Sequence, residues 1–394
     1  MSTPPRWGLD PQTTFLNHGS FGACPIQVLE HQRQIRDQLE SQPLRFFLRQ
    51  YLPLLDQARH KLADFVGADS SDLVFVNNAT QGVGAVVHAW PLKAGDHILV
   101  LNQGYGACTL AAKHAADRAG ASLVTAHIPF PIQDPQQAID AILDAVTPRT
   151  SLAIIDHITS ATGLVLPIKD IVAQLKARGV ETLVDGAHAP GMVPLDLDAL
   201  GAAFYTGNCH KWICSPKGAA LLHARADMQP ILEPLTISHG FGLKHLTRPA
   251  LHDHFDWPGT LDPSAWLSVP CAIDTMGAAL PGGWPALRDH NHQLVLKARA
   301  LLCDALNIAP PAPKSMIGSL AAVPLPDGQP FAVETFFSCD PLHDRLLDEH
   351  QIEVPIISWP SQPSRLLRVS AQLYNSLPQY QTLADALPAA LTGA

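Results

Sequence analysis

A lysine and an aspartate stand at the ends of two consecutive predicted strands, and together they could hold a carbonyl-bearing ring. Asp185 ends one predicted strand, and Lys211 follows the next. A lysine amine can form a Schiff base with a carbonyl compound held beside it. A pyridine-ring cofactor also needs a carboxylate at its ring nitrogen, because the protonated ring is the better electron sink. Taken alone, the pair is more readily explained as a surface lysine and a helix-capping aspartate.

Further polar residues follow the predicted strands, and together they favour a cofactor site over a surface lysine and a capping aspartate. The segment 78–82, Asn-Ala-Thr-Gln-Gly, lies at a strand-to-helix turn. Free backbone N–H groups at a helix N-terminus, together with the Thr80 hydroxyl, suit a phosphate group. An ordinary N-cap, a core tyrosine and structural histidines would explain the same residue types one by one. The other candidates near the turn and the lysine–aspartate pair are Tyr105, His188 and His210.

The order of the predicted elements explains why these residues should meet. Between about residues 54 and 222, helical spacing alternates regularly with short runs typical of strands. This alternation predicts an α/β fold in which a mostly parallel sheet carries helices on both faces. In such sheets, ligands bind at the carboxyl ends of the strands. The predicted strands span 72–76, 97–101, 122–126, 151–155, 181–185, 202–206 and 219–222.

The pattern changes after residue 238. Residues 238–263 are rich in Gly, His, Pro and Asp, and we interpret them as a loop. The helical and strand-like segments that follow predict a second, smaller α+β domain. We therefore expect a large domain over residues 15–258 and a small C-terminal domain over 259–394, with residues 1–14 as an N-terminal arm. A predicted amphipathic helix over 27–40 has no packing partner that the sequence assigns.

Composition narrows the class of protein. The chain of 394 residues has a formal net charge of −9, which argues against nucleic-acid binding. It contains no run of about 18 apolar residues, so no membrane span is expected. Its 7 cysteines form no CxxC pair, which indicates reduced thiols in a cytoplasmic protein. With 47% hydrophobic and 15% charged residues, the chain can bury a large core or a core plus a subunit interface.

Six motifs are distributed along nearly the whole chain. They are FLNHGSFG at 15–22, NAT at 78–80, VDGAH at 184–188, YTGNCHKW at 205–212, SPKG at 215–218 and LRVSAQLYN at 367–375. In this order they resemble class V of the fold-type I pyridoxal-phosphate (PLP) enzymes. The chain is most similar to the isopenicillin N epimerase-like proteins, a group that also includes ergothioneine-pathway C–S lyases. The motifs are specific for the superfamily and less specific for the reaction.

The resemblance implies PLP as the cofactor and a role for each matching residue. Lys211 would hold PLP as a Lys-linked aldimine and later move the Cα proton, while Asp185 would pair with the ring nitrogen. Arg368 would bind the substrate α-carboxylate, assisted by Asn17. Thr260 would reach the phosphate of a neighbouring subunit, which implies a homodimer with shared active sites. The other expected PLP contacts are Ala79, Thr80, Tyr105, Ser160, His188, Asn208 and His210.

The resemblance leaves several reactions open for an amino acid or an amino-acid-derived substrate. We expect an isopenicillin N epimerase-like enzyme, with a PLP-dependent C–S lyase or a class V aminotransferase as alternatives. Cysteine desulfurases place a nucleophilic cysteine shortly before the carboxylate-binding arginine. Residues 354–365 contain none, so persulfide-forming activity is not expected, and the upstream Cys339 is interpreted as structural. Trp359 and Arg365 suggest a pocket for a larger or doubly charged substrate.

Two hypotheses from other classes stay open at this point. A metal-dependent hydrolase could use histidines of the 238–263 segment, although no HExxH motif is present and the spacings do not recur on one helix face. The resemblance itself calls for no metal. A catalytically inactive protein of the PLP fold is the other hypothesis, although Lys211, Asp185 and Arg368 are all present. The histidines in question are His239, His245, His252 and His254.

Overall fold

A seven-stranded sheet with helices on both faces forms the larger part of the protein. The computed structural model describes residues 4–243, 247–335 and 337–392. The strands are Thr14–Phe15 (β1), Leu73–Val76 (β2), His97–Leu101 (β3), Ser122–Ala126 (β4), Thr150–Asp156 (β5), Glu181–Asp185 (β6), Phe204–Asn208 (β7), Ala220–Ala224 (β8), Leu320–Leu325 (β9), Ile352–Glu353 (β10), Ile356–Ser358 (β11) and Arg365–Ser370 (β12).

Helices occupy most of the segments between these strands. They are His18–Phe21 (α1), Ile26–Ser41 (α2), Pro43–Arg45 (α3), Tyr51–Val66 (α4), Ala79–Ala89 (α5), Gly106–Ala119 (α6), Pro135–Asp144 (α7), Ile168–Ala177 (α8), Leu197–Leu200 (α9), Ala250–Phe255 (α10), Ser264–Leu267 (α11), Val269–Gly277 (α12), Gly283–Leu306 (α13), Pro341–His350 (α14) and Leu377–Thr392 (α15). Within the described ranges, no helix is both long and apolar enough to cross a membrane.

The large sheet has the strand order β2-β8-β7-β6-β5-β3-β4. Strand β8 runs antiparallel to its neighbours β2 and β7, and the other neighbouring pairs are parallel. The prediction of an α/β fold with a mostly parallel seven-stranded sheet is therefore confirmed. Because β2, β5, β6 and β7 run in the same direction, their carboxyl ends meet at one edge, where a ligand site is expected.

The strands are apolar at consecutive positions because both faces of the sheet are buried. Along β2, Leu73 and Phe75 face one hydrophobic core, while Val74 and Val76 face a second core on the opposite side. Helices α5 and α6 cover the second core, to which they contribute Val83 and other apolar side chains. This two-sided burial explains why short continuous apolar runs predicted the strands correctly.

One strand begins later than its sequence pattern indicates. The strand predicted over 202–206 is β7, which spans Phe204–Asn208. Gly201 ends α9 in the left-handed region with φ 70°, and pairing with β6 begins only at Phe204. The strand also continues to Asn208, which brings that side chain to the ligand edge of the sheet.

The segment predicted as a loop over 238–263 contains the short helix α10. This helix buries Leu251, His252 and Phe255, which lie on one face at helical spacing. The prediction was wrong here because His and Asp residues between these apolar positions obscure the period. Helix α2 finds its partners in α11 and α12, where Gln32 Nε2 donates to Ser264 Oγ over 3.1 Å.

The C-terminal elements form a smaller group around a three-stranded antiparallel sheet of order β11-β12-β9. Helix α13 packs against β9 and β12 and also against α15. The N-terminus joins this group, because β1 pairs with β10 in parallel. The smaller α+β unit is thus present, and its boundary at residues 258 and 259 stays a prediction.

A glycine allows helix α5 to lie very close to β7. A Cβ atom at Gly82 would stand 2.2 Å from Thr206 Oγ1. Thr206 is fully buried and donates its hydroxyl proton to the carbonyl oxygen of Leu221 over 2.8 Å, so moving it aside would break a buried hydrogen bond. The close approach fixes the first turn of α5 at the carboxyl edge of the sheet.

We expect Gly82→Ala to destabilise the protein and Gly84→Ala, on the same helix, to leave it unchanged or stabilise it slightly. A Cβ at Gly84 meets only Leu235 Cδ1, at 3.4 Å. Overpacking costs about 1–3 kcal/mol of unfolding free energy, whereas alanine is favoured over glycine in a helix by about 1 kcal/mol. Urea denaturation of both variants measures the difference. Equal stabilities would contradict the close contact at Gly82.

Candidate active site

A cavity of about 250 Å³ lies at the carboxyl edge of the large sheet. Its walls come from the residues that follow β2, β3, β5, β6 and β7, together with α1. The strand-end rule therefore pointed to an edge of the sheet that carries a cavity. The cavity brings together Ala79, Thr80, Tyr105, Ser160, Asp185, His188, Asn208, His210 and Lys211.

Asp185, at the end of β6, is a buried carboxylate held by two donors. It is 2% exposed. The Ala187 N–H donates to Oδ1 over 3.0 Å, and the Cys108 thiol donates to Oδ2 over 3.2 Å. Burial raises the pKa of Asp185, while these hydrogen bonds and the nearby Lys211 amine favour its charged form. The site therefore holds a carboxylate whose orientation is fixed before any ligand arrives.

Lys211 follows β7 and extends its amine into the same cavity, half-buried. Its Nζ lies 3.1 Å from Nε2 of His188, whose Nδ1 accepts a hydrogen bond from Trp212 Nε1 over 3.5 Å. Burial, and then the charge of Arg368, lowers the pKa of Lys211 to about 7, although Asp185 acts in the opposite direction. A large fraction of this amine is therefore neutral and nucleophilic at neutral pH.

The N-terminal motif at 15–22 holds the backbone of Lys211 in place. His18 is fully buried, with Nε2 3.0 Å from the carbonyl oxygen of Lys211 and Nδ1 2.9 Å from the hydroxyl of Tyr374. Burial lowers the pKa of His18 to about 3, so the ring is neutral. Gly22 has φ 72°, and a Cβ there would stand 2.2 Å from the His210 carbonyl oxygen. These contacts fix the position of the Lys211 backbone.

The first turn of α5 offers donors for an anion. Asn78 Oδ1 accepts the Gln81 N–H over 2.8 Å, and Asn208 Oδ1 accepts the Ala79 N–H over 2.8 Å. For the Thr80 N–H and hydroxyl, the described residues provide no hydrogen-bond partner. A helix N-terminus with free donors is a favourable site for a phosphate group. The Ala79 N–H, in contrast, is already engaged by Asn208.

Arg368 of β12 is a buried guanidinium beside the cavity. It is 3% exposed. Nη1 donates to the carbonyl oxygen of Ser160, and Nη2 donates to Ser20 Oγ over 3.2 Å, whereas Nε finds no partner in the described part of the chain. Burial lowers the pKa of Arg368 to about 10, so it stays charged at neutral pH. Asn17 does not line the cavity, but its Oδ1 accepts a hydrogen bond from the Ser20 hydroxyl over 2.5 Å, and its role at the substrate carboxylate stays a prediction.

Several predicted contacts are not assembled in a single chain. Thr260 is exposed and does not line the cavity. Arg365 is buried elsewhere, with Nη1 3.0 Å from Asp340 Oδ1, and Trp359 packs on Phe130 with 5.7 Å between ring centroids. Neither residue lines the cavity, and the Arg365 charge is paired with Asp340, so the hypothesis of a substrate pocket around Arg365 and Trp359 stays a prediction that this cavity does not support. Cys339, interpreted as structural, is exposed.

Two further residues of the site had no predicted role. Asp156 ends β5 and lines the cavity next to Asp185. Its place at a strand end selects it as a candidate, but no motif gave it a function. Cys108 lies on α6, where a single cysteine in a helical pattern carries no functional signal. Only the hydrogen bond to Asp185 identifies it.

The histidines of the metal hypothesis do not form a common site within the described residues. His252 Nε2 is bonded to the Ser70 carbonyl oxygen over 3.0 Å. The carboxylates near it are neutralised by guanidinium groups, at 2.7 Å between Arg59 and Asp256 and 2.7 Å between Arg248 and Asp56. His254 packs against Phe241 with 4.6 Å between ring centroids, and His239 is exposed at the start of a short 3-10 helix. His245 lies outside the described residues.

Comparison with known proteins identifies a family. The family model for aminotransferase class-V matches residues 37–341. The isopenicillin N epimerase of Streptomyces clavuligerus is 34% identical over 98% of this chain and 97% of its own. A putative L-cysteine desulfhydrase of Oryza sativa is 32% identical over 94% of this chain and 82% of its own. The crystal structure of the cysteine desulfurase CsdA from Escherichia coli superposes with a TM-score of 0.76 at 19% identity, covering 98% of this chain and 97% of that one.

We expect the amine of Lys211 in the ligand-free protein to react with an acylating reagent with a midpoint near pH 7, well below the ordinary lysine value of 10.5. Arg368→Gln should raise this midpoint, since a nearby positive charge is removed, and Asp185→Asn should lower it. Each shift should be about one pH unit. Mass spectrometry of the Lys211 peptide across a pH series measures the midpoint. Shifts in the same direction for the two variants would contradict this electrostatic arrangement.

Proposed function

Because the chain belongs to the class-V aminotransferase family, we propose that it is a PLP-dependent enzyme that removes the Cα proton of an amino-acid substrate. The observation that carries the proposal is one cavity that contains Asp185, Lys211 and the free donors of Thr80. A carboxylate, a partly neutral amine and an anion-binding helix turn are what a phosphorylated pyridine aldehyde requires.

The described residues fit PLP at its ring nitrogen, its aldehyde carbon and its phosphate. Asp185 would hold the ring nitrogen, because each of its oxygens accepts one hydrogen bond and has a lone pair left. Lys211 would bind the aldehyde carbon through an amine that is partly neutral. Thr80 would bind the phosphate with its free N–H and hydroxyl. His210 would add no charge there, since burial lowers its pKa to about 4.

The residues of the chain then divide the catalytic work. When bound, PLP supplies an electron sink that stabilises the charge left at Cα. Asp185 favours the protonated ring nitrogen, because a nearby carboxylate stabilises a cation. Lys211 takes the proton from Cα, and its pKa of about 7 allows the amine to gain and lose a proton at neutral pH. His188, 3.1 Å from Nζ, orients the amine.

Arg368 would bind the substrate α-carboxylate. A buried guanidinium without a carboxylate partner is costly unless a ligand supplies the negative charge. Among the described residues its partners are the neutral oxygens of Ser160 and Ser20, and Nε has none. Its planar donors suit bidentate pairing with a carboxylate. This arrangement favours a substrate with an unmodified α-carboxylate over an amine alone.

The fate of the substrate after proton removal determines the reaction. The relatives include a protein named as an epimerase and one named as a cysteine desulfhydrase. The described residues that line the cavity include no cysteine, and the nearby Cys108 thiol donates to Asp185. The site therefore suits reactions that need no sulfur nucleophile. Epimerisation is our first candidate, elimination at a C–S bond is the second, and transamination stays an alternative.

We further propose that the protein is a homodimer and lies in the cytoplasm. Phe21 and Tyr105 line the cavity, yet they are 65% and 48% exposed, and a second copy of the chain would cover them. Thr260 is exposed and could enter the site of a neighbouring copy. All seven cysteines are free, as suits a reducing compartment.

Purified protein loaded with PLP should act on members of a panel of L- and D-amino acids and sulfur-containing conjugates. It should also show the visible absorption band expected of PLP bound to a lysine. The Lys211→Ala variant should lose both the turnover and this band. Lys217→Arg is the matched control, because Lys217 lies six positions further on and binds the Gly22 carbonyl oxygen over 2.8 Å, outside the cavity. Removal of the catalytic amine should reduce turnover by about 10³-fold or more.

The products separate the candidate reactions. Solvent deuterium at Cα without net loss of substrate indicates epimerisation, and release of pyruvate or ammonia indicates lysis. A change to the pyridoxamine spectrum indicates transamination. An unchanged absorption band and unchanged turnover in Lys211→Ala would contradict the proposed function.

Mixing two inactive variants should restore activity if the sites are shared. In a mixed dimer of Lys211→Ala and Thr260→Ala subunits, one site combines an intact Lys211 with an intact Thr260. Random exchange should therefore recover about a quarter of the wild-type sites. Activity at limiting PLP before and after subunit exchange measures the recovery. No recovery, with exchange verified by native mass spectrometry, would contradict the shared site.

A further inference from the structure

A second carboxyl group lies beside the proposed ring-nitrogen partner. Asp156 ends β5 as Asp185 ends β6, and the two residues are Cα partners in the parallel ladder. Side chains at paired positions of a parallel sheet point to the same face. Both residues line the cavity, and they are 4% and 2% exposed. The candidate site therefore contains a buried pair of acids where the proposed chemistry uses one.

The surroundings of Asp156 provide little to support a second negative charge. The groups that face the pair are the Cys108 thiol on α6, the Tyr105 N–H and phenol at the start of α6, the Tyr205 phenol on β7, and Lys211 after β7. Cys108 and Ala187 donate to Asp185, and the Lys211 amine also favours the charge of Asp185. The backbone N–H groups of Tyr105 and Asp156 favour the charged form of Asp156, but no cation in the described part of the chain acts on it. His188 and His210 also line the cavity, but burial keeps both rings neutral by lowering their pKa.

When two adjacent buried carboxyl groups share one nearby cation, one of them keeps its proton at neutral pH. The Lys211 amine and the hydrogen bonds from Cys108 and Ala187 act on Asp185, which takes the charge, and Asp156 keeps the proton. Desolvation, followed by the charge of Asp185, raises the pKa of Asp156 well above its usual value. This division of roles follows from the placement of Cys108 and Ala187, which donate to Asp185.

We infer that Asp156 is a positioning residue that stays protonated and makes Asp185 the single ionised carboxylate of the pair. The inference rests on the proposed function, because the charge of Asp185 matters only if a cationic ring is bound next to it. A pair that carries one negative charge matches one ring cation. If Asp156 were ionised, it would be a second anion near Lys211 and would raise the pKa of the amine. A protonated Asp156 has no such effect.

The test begins with the ligand-free protein. At pH 7, infrared difference spectra of wild type minus Asp156→Asn should contain a band from a protonated carboxylic acid. In Asp185→Asn the repulsion is removed, so the same acid should lose its proton at a pH at least about one unit lower. Absence of the band at pH 7, or a midpoint that does not move in Asp185→Asn, would overturn the inference.

Cofactor affinity provides the second measurement. Asp156→Asn keeps the shape and neutrality of the acid, so its Kd for PLP should stay within about threefold of wild type. Asp156→Ala leaves a gap beside Asp185 that admits water to the buried carboxylate, and it should bind PLP about tenfold or more weakly. Equal weakening in both variants would overturn the inference. If wild type itself fails to bind PLP, the proposed function fails, while the infrared result still decides the state of Asp156.

Discussion

The site depends on holding a buried carboxylate and a half-buried amine in one cavity. Each group is costly to bury alone, and each changes the ionisation of the other: Lys211 favours the charged form of Asp185, and Asp185 raises the pKa of Lys211 against the larger effect of burial. Bringing a ring with a basic nitrogen and a reactive carbonyl between them would satisfy both groups. The cost of this arrangement has to be met by the surrounding fold.

Contacts between segments that are distant in sequence offset the free-energy cost of burying these groups. The parallel strands β5, β6 and β7 place Asp156, Asp185 and the turn before Lys211 at one edge. The N-terminal motif reaches behind Lys211 through His18, and Arg368 arrives from the C-terminal unit to contact Ser160 and Ser20. Gly82 lets the first turn of α5 approach the same edge. Residues from the whole chain therefore meet in or beside one cavity.

Much of this architecture could be predicted from sequence. Strands buried on both faces leave continuous apolar runs, and nine predicted residues line the cavity because strand ends and motifs mark them. Other features carry a weak local signal or none. Asp156 stands at a strand end but belongs to no motif, Cys108 is identified only by its hydrogen bond to Asp185, and the ion pair of Arg365 joins it to Asp340, which lies 25 positions away. A single chain cannot test the placement of Thr260, since Thr260 is predicted to contact the phosphate bound in a second copy of the chain.

The most direct measurement is a crystal structure of the protein grown with PLP. We expect continuous density between Lys211 Nζ and the cofactor, with the ring nitrogen within hydrogen-bond distance of Asp185 and the phosphate at the Thr80 N–H. Density joined to a different lysine, or a ring whose nitrogen faces away from Asp185, would contradict the proposed roles of these residues.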